Sequence, residues 1–251
     1  MPVVLGLVYV GGWWMFAFVA VAATIALHEY WLLARTLRPL APAGYVGGIL
    51  ALVGAELGGV TWMVGGVLTT LAFAFLLKGI SATRQAATVA ISGTLLGAVW
   101  IGLGLGFFIV LRDVPKHGRL IAFTVLLAVW AGDTFAYFGG RLIGRHTMAP
   151  TTSPKKTWEG FVVGTAATIF VSFIALYKQH YLSLAHSIEL GVVIAVAAPL
   201  GDLFESLLKR DMDVKDTGRL LGGHGGMLDR LDALLFAAPA AYFFLAALSQ
   251  A

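Results

Sequence analysis

Cysteine is absent from the 251-residue chain, which excludes a disulfide framework and any thiolate metal centre. Charge is nearly as scarce. Charged residues make up 12% of the chain against 59% hydrophobic ones, about half the charged share of a soluble domain. A mean hydropathy of +0.87 is incompatible with a water-soluble globule of this size. Short alternating segments are missing too, which excludes a transmembrane β-barrel. What remains is an all-α, polytopic integral membrane helical bundle, with several apolar runs reaching the roughly 20 residues that cross about 30 Å of hydrocarbon.

The runs define about eight or nine helices. Residues 3–37 are too long for one upright span, and Gly11-Gly12 divides them into a short helix and a full one. Residues 45–57 and 60–77 read as a helical hairpin turning near Gly58-Gly59, followed by spans at 86–111, 120–142, 158–181, 188–208 and 228–248. Gly102, Gly104 and Gly106 have no strand ahead of them, so they read as a close helix-packing surface. The first apolar run lacks a basic segment before it and outlasts a signal-peptide core, so it is expected to remain as a helix. The chain is read as a single membrane domain, with amino-terminal helices over about 1–117 and a catalytic half over about 118–251.

Net charge is +4 and the pI is near 9.4, but the basic residues sit between apolar spans. Anionic lipid and the positive-inside rule account for them, and no nucleic-acid partner is expected. With alternating spans, the basic groups at 35–38, 78–84, 141–156 and 209–219 fall on one side, read as cytoplasmic. The loop from Arg112 to Arg119 breaks this pattern with three basic residues on the opposite side.

Residues 199–232 concentrate acids within this apolar chain. A carboxylate in a span costs a few kcal/mol by insertion scales and usually faces a partner or a watery cavity. Asp133, Asp202, Glu205, Asp229 and Asp232 all stand in or at the ends of spans. Asp202, Glu205, Ser206 and Lys209 share one helix face, and Asp229 shares a face with Asp232. Carboxylates from separate helices suit a hard cation such as Mg²⁺, which takes one or two of them plus substrate phosphates. The plainer reading is a set of intramembrane ion pairs, for instance Asp202 with Lys209 or Asp229 with Arg230.

Phosphate partners lie alongside. Lys209, Arg210, Lys215 and Arg219 are cationic donors. The run Gly222-Gly223-His224-Gly225-Gly226 leaves its backbone open just before a helix start, where an anion is favoured. A second polar segment, from Ser153 to Gly160, places Lys155 and Lys156 at a helix entrance capped by either Ser153 or Thr157. His28, His117, His146, His180 and His186 sit near span ends and carry no assigned role.

These residues resemble the phosphatidate cytidylyltransferase (CDP-diacylglycerol synthase) family. Ser206, Lys209, Arg210, Lys215, Asp216, His224, Gly225, Gly226, Asp229, Arg230 and Asp232 fit its S-x-x-K-R-x4-K-D…H-G-G-x-x-D-R-x-D pattern at every fixed position. Asp133-Thr134-Phe-Ala136-Tyr137 and the Ser153–Gly160 segment resemble further family motifs in the expected order, while Gly222 stands where many relatives have proline. The resemblance implies cytidylyl transfer from CTP to phosphatidate, giving CDP-diacylglycerol and pyrophosphate for phospholipid synthesis. It implies Mg²⁺ and a second cation such as K⁺, held by Asp202, Asp229, Asp232 and Asp133. It implies a catalytic group of Asp202, Lys209, Lys215, Asp216, Asp229 and Asp232, with Ser153, Lys155, Lys156, Thr157, Glu159, Ser206, Arg210, His224, Gly225, Gly226 and Arg230 binding substrate. A homodimer in the bacterial inner membrane, working at its cytoplasmic face, is the expected setting.

Two rivals come from other classes. A CTP-dependent polyprenol or dolichol kinase would release CDP in place of pyrophosphate. An ion-coupled transporter would use the buried acids as an ion path, but two phosphate-suited loops and the lack of an inverted repeat weigh against it.

Overall fold

A computed structural model describes residues 2–81, 86–177, 179, 181–214, 217–218 and 225–250. Helix dominates because a backbone in hydrocarbon must satisfy its own N–H and C=O groups. The elements are α1 (Pro2–Val10), α2 (Gly12–Leu33), α3 (Ala41–Ile80), α4 (Ala87–Gly97), a π-helical stretch Ala98–Leu103 and α5 (Gly104–Arg112). They continue with α6 (Gly118–Ile143), β1 (Thr147–Ala149), β2 (Ser153–Thr157), α7 (Trp158–Leu176), α8 (Leu184–Asp211) and α9 (Leu228–Gln250). Seven helices among the described residues are long and apolar enough to cross a membrane.

The expected breaks are present. Gly11 and Gly12 have φ of 71° and 53° and divide α1 from α2. Straight, the 40-residue α3 would be about 60 Å long, twice the hydrocarbon thickness. Gly59, with φ 65° and ψ −152°, interrupts it. Residues 41–58 then fold back on 60–80: Gly54 lies against the Trp62 backbone, Gly47 against Thr70, and Gly66 against the Ala51 backbone. The hairpin read from Gly58-Gly59 is therefore real, and it brings the spanning segments to eight among the described residues.

The chain forms two compact units. The first comprises Met1–Asp113 and Asp211–Leu231. Its core gathers Ala23, Ala26, Leu27 and Tyr30 of α2 with Leu52, Met63, Ile101 and Leu105. Tyr30 donates its hydroxyl to the Gly93 carbonyl at 2.8 Å. Gly102 packs on Gly48 and Gly106 on the Met63 side chain, so these glycines do serve helix packing. Arg112 accounts for one of the three basic residues of its loop: its guanidinium donates to the carbonyls of Val8 at 2.7 Å and Tyr9 at 3.2 Å. Those are last-turn carbonyls of α1 that lack helical donors.

The second unit comprises Val114–Arg210 and Asp232–Ala251. Here α6 and α7 approach through glycines. A Cβ on Gly160 would lie 2.7 Å from the Ala136 carbonyl oxygen, and one on Gly164 2.8 Å from that of Gly132. Gly191 of α8 seats on the Ile169 backbone of α7, and Gly201 on the Asp232 backbone of α9. The all-α expectation needs one amendment. Residues 147–157 form an antiparallel two-stranded hairpin, Thr147 opposite Thr157 and Ala149 opposite Ser153.

The adjacent glycines 65 and 66 test the α3 hairpin. Gly65 has open space at its Cβ position and Gly66 abuts Ala51. Gly66→Ala should lower the thermal midpoint in detergent, reflecting a stability loss of about 1–3 kcal/mol typical of overpacking. Gly65→Ala should leave it unchanged or slightly raised.

Candidate active site

In the second unit, one face of α6 carries Val129, Asp133, Ala136, Tyr137, Gly140 and Arg141 in steps of three and four residues. This face forms a wall of a cavity of about 510 Å³, a size suited to a small-molecule ligand. Twelve helical rises of 1.5 Å between Val129 and Arg141 make that wall about 18 Å long. From α7 come Gly160, Gly164 and Thr168, from α8 Ala195, Pro199 and Asp202, and from the hairpin Met148, Lys155, Lys156 and Thr157. The small residues keep the space open. Toward the hairpin the cavity is lined by Arg141, Lys155, Lys156 and Thr157, and around Val129, Ala195 and Ala198 the lining is mostly apolar, with the Thr168 hydroxyl donated to the Ala128 carbonyl at 3.3 Å.

The polar end is held by specific bonds. Lys156 Nζ sits 2.6 Å from Asp202 Oδ2 and is shielded from solvent. Ser206 donates to Asp202 Oδ1 at 3.4 Å. Asp133 lies within electrostatic reach of both Asp202 and Lys156. Lys155 is exposed at the mouth, and Arg141 donates to the Tyr137 hydroxyl at 3.3 Å. Three cations, Arg141, Lys155 and Lys156, thus face two carboxylates, Asp133 and Asp202, across one cavity.

The ion pairs differ from those the sequence suggested. Asp202 is paired with Lys156, and Lys209 reaches Glu205 at 3.1 Å. The i,i+4 spacing places Glu205 one turn from Lys209, whereas Asp202 at i,i+7 is about 10 Å along the axis. Glu205 is fully buried and hydrogen-bonds Asp232 of α9. Two carboxylates touch in this way only across a proton or a cation.

The hairpin replaces the expected loop and decides between the two caps. Ser153 lies in β2 opposite Ala149 and caps nothing. Thr157 is the N-cap of α7, its Oγ1 accepting from Gly160 N at 3.1 Å. Glu159, nominated as a substrate ligand, accepts from the backbone N–H groups of Arg145 and His146 at 3.0 and 3.2 Å, and meets His146 Nδ1 at 2.5 Å. Its carboxylate is spent on the base of the hairpin. Arg210, expected at a phosphate, donates its Nε to the Thr152 carbonyl at 3.2 Å and fastens the hairpin tip.

Further nominated residues lie in the first unit. Asp229 Oδ2 accepts from Gly226 N at 2.7 Å, Thr217 Oγ1 at 2.9 Å and Thr217 N at 3.3 Å. Gly225 has φ 80°, where a side chain would be strained. Arg230 is exposed. At the helix start where an anion was expected, one is present, but it is internal. Glu29 of α2 accepts from Met227 N at 3.0 Å and Leu228 N at 2.8 Å. Lys215, Asp216 and His224 lie outside the described residues. Sequence reasoning assigned no site role to Arg141 or Thr217, and Tyr137 entered only as the last residue of the Asp133–Tyr137 motif. Arg141 and Tyr137 were findable, since they continue the Asp133 face at i+4 and i+8.

The donor set fits Mg²⁺. Asp133 and Asp202 are hard oxygen ligands on two walls of one cavity, and this ion is commonly held by one or two carboxylates with waters and phosphates completing its shell. Among the described residues, no three His, Asp or Glu side chains form a ready-made metal cage.

A model of the cytidylyltransferase family matches residues 1–248. The phosphatidate cytidylyltransferase of Mycobacterium bovis is 37% identical, covering 95% of this chain and 82% of that protein. The protein of that name from Mycobacterium tuberculosis is also 37% identical, over 95% of this chain and 76% of its own length. Its Bacillus subtilis counterpart is 39% identical over 61% of this chain and 58% of that protein.

Glu159→Gln tests the anchoring of the hairpin. Amide exchange at Arg145 and His146 should accelerate at least tenfold, while exchange in the middle of α6 stays unchanged. Mass spectrometry of the exchanged protein in detergent reads both.

Proposed function

The chain belongs to the cytidylyltransferase family, and from that premise we propose that it transfers the cytidylyl group of CTP to phosphatidate, releasing pyrophosphate and leaving CDP-diacylglycerol. One observation carries this reading beyond the family name. A single cavity runs about 18 Å along α6 from a mostly apolar end at Val129 to the cationic Arg141, with the Asp133 carboxylate about 6 Å from Val129. That polarity suits a molecule with a phosphate at one end and hydrocarbon at the other.

A phosphate oxygen of phosphatidate attacks the α-phosphorus of CTP. A new P–O–P linkage forms, the α–β bridging P–O bond breaks, and pyrophosphate leaves with the electron pair. Two polyanions must meet, so positioning and charge neutralisation dominate the barrier. Lys155, Lys156 and Arg141 supply the cationic charge. Asp202 holds Lys156 in place, and Thr157 and Glu159 hold the strand that presents both lysines. Mg²⁺, for which Asp202 and Asp133 are the cavity ligands, neutralises triphosphate charge when bound. The Asp232–Glu205 contact is the place for a second cation such as K⁺. Asp229 remains a proposed ligand, with its Oδ2 already accepting three hydrogen bonds.

Positive-inside charge supports a cytoplasmic working face in the plasma membrane. A homodimer rests on family analogy and is tested by mass in detergent-free nanodiscs.

Purified protein given CTP, Mg²⁺ and phosphatidate should release pyrophosphate and form CDP-diacylglycerol. Release of CDP in place of pyrophosphate would assign it to the lipid kinases. Chelation with EDTA should stop turnover and Mg²⁺ restore it. Asp202→Asn should cost on the order of 100-fold in kcat with the protein still folded. Lys156→Ala should cost more than Lys155→Ala, because only Lys156 is locked to Asp202; equal losses would show that the ion pair has no catalytic weight.

A further inference from the structure

Glu29 is the buried acid that the transfer reaction leaves unused. It lies within the span α2, is 4% exposed, and accepts no hydrogen bond from a side chain among the described residues. Both its oxygens instead meet the start of a helix 198 and 199 residues away: Oε1 accepts from Met227 N and Oε2 from Leu228 N.

The first N–H groups of any helix lack intrahelical acceptors, and a Ser, Thr, Asp or Asn before the helix normally supplies one. The residue before α9 is Met227, which has no acceptor. Glu29 fills that role with a full charge, which the helix dipole favours further. The surrounding backbone is shaped to admit it. A Cβ on Gly226 would lie 2.5 Å from Glu29 Oε2 and 2.6 Å from Thr217 Oγ1, and one on Gly218 would also strike Glu29 Oε1.

The same segment orients Asp229. Gly226 donates to Asp229 Oδ2, and Thr217 donates to it twice. Consecutive N–H groups at 226, 227 and 228 are thereby divided between two carboxylates, the first on Asp229 and the next two on Glu29. Loss of Glu29 would leave two buried donors unsatisfied, costing about 1–3 kcal/mol each. The cheapest relief is a turn of the 225–228 backbone, which carries the Gly226 donor away from Asp229.

We propose that Glu29 is a positioning residue: by capping α9 across the chain it fixes residues 225–229, and with them the carboxylate of Asp229, for substrate binding. The proposal rests on the cytidylyl-transfer reading above. Glu29 touches no substrate in this scheme and acts through the Gly226–Asp229 contact.

Glu29→Gln keeps the length of the side chain and turns one acceptor into an NH₂ that opposes an N–H donor. Amide exchange of a peptide covering 225–229 should rise at least tenfold, kcat should fall at least tenfold, and the thermal midpoint should drop by only a few degrees. Gly226→Ala reaches the same contact from the other side and should reproduce the exchange and kcat changes if Glu29→Gln proves unstable. Thr217→Ala should combine with Glu29→Gln less than additively in kcat, since both act through Asp229. Normal kinetics in Glu29→Gln would overturn the proposal. So would a loss of activity explained wholly by lost folded protein, or strict additivity with Thr217→Ala. Failure of the wild-type protein to release pyrophosphate would instead sink the transfer reading, while the exchange result would still report on the cap.

Discussion

Every ionised group inside an apolar bundle must be matched, and this constraint organises the molecule. A carboxylate stranded in hydrocarbon costs several kcal/mol, so each one dictates what surrounds it. Asp202 has Lys156, Glu205 has Lys209, Asp229 has Thr217 and Gly226, and Glu29 has two helix-start amides. Two of these matches, Lys156 with Asp202 and Glu29 with the start of α9, join distant parts of the chain. They hold the polar centres of the two units where packing of bare apolar helices would leave them free to slide.

Glycine provides the complementary half of the design. Helices in lipid gain no hydrophobic advantage from meeting one another and depend on close van der Waals approach. Gly160 and Gly164 let α7 settle onto α6, which sets the width of the cavity between them. The chemistry at the Asp133 and Lys156 end therefore depends on residues that have no chemistry of their own.

Much of this architecture was legible. Apolar runs announce spans because hydrocarbon thickness dictates their length, and Gly11-Gly12 and Gly59 announce breaks because their positive φ angles disfavour most side chains. Asp133, Lys156 and Asp202 stood out because charge in such a sequence demands an explanation. Partners were less legible than sites. The Lys209–Glu205 pair follows from helical spacing, but Lys156–Asp202 joins residues 46 positions apart, and Glu29 meets Leu228 across most of the chain. Periodicity carries no such long-range information. The β-hairpin escaped notice for another reason: its strands are three and five residues long, too short for alternation to register.

That hairpin is fastened at its base by Glu159, at its exit by Thr157 and at its tip by Arg210. Fixing a residue's backbone costs roughly 1–2 kcal/mol of conformational entropy, and here that cost falls on folding. A ligand arriving at Lys155 and Lys156 meets a surface already rigid, so its binding free energy is not diluted by ordering a loop.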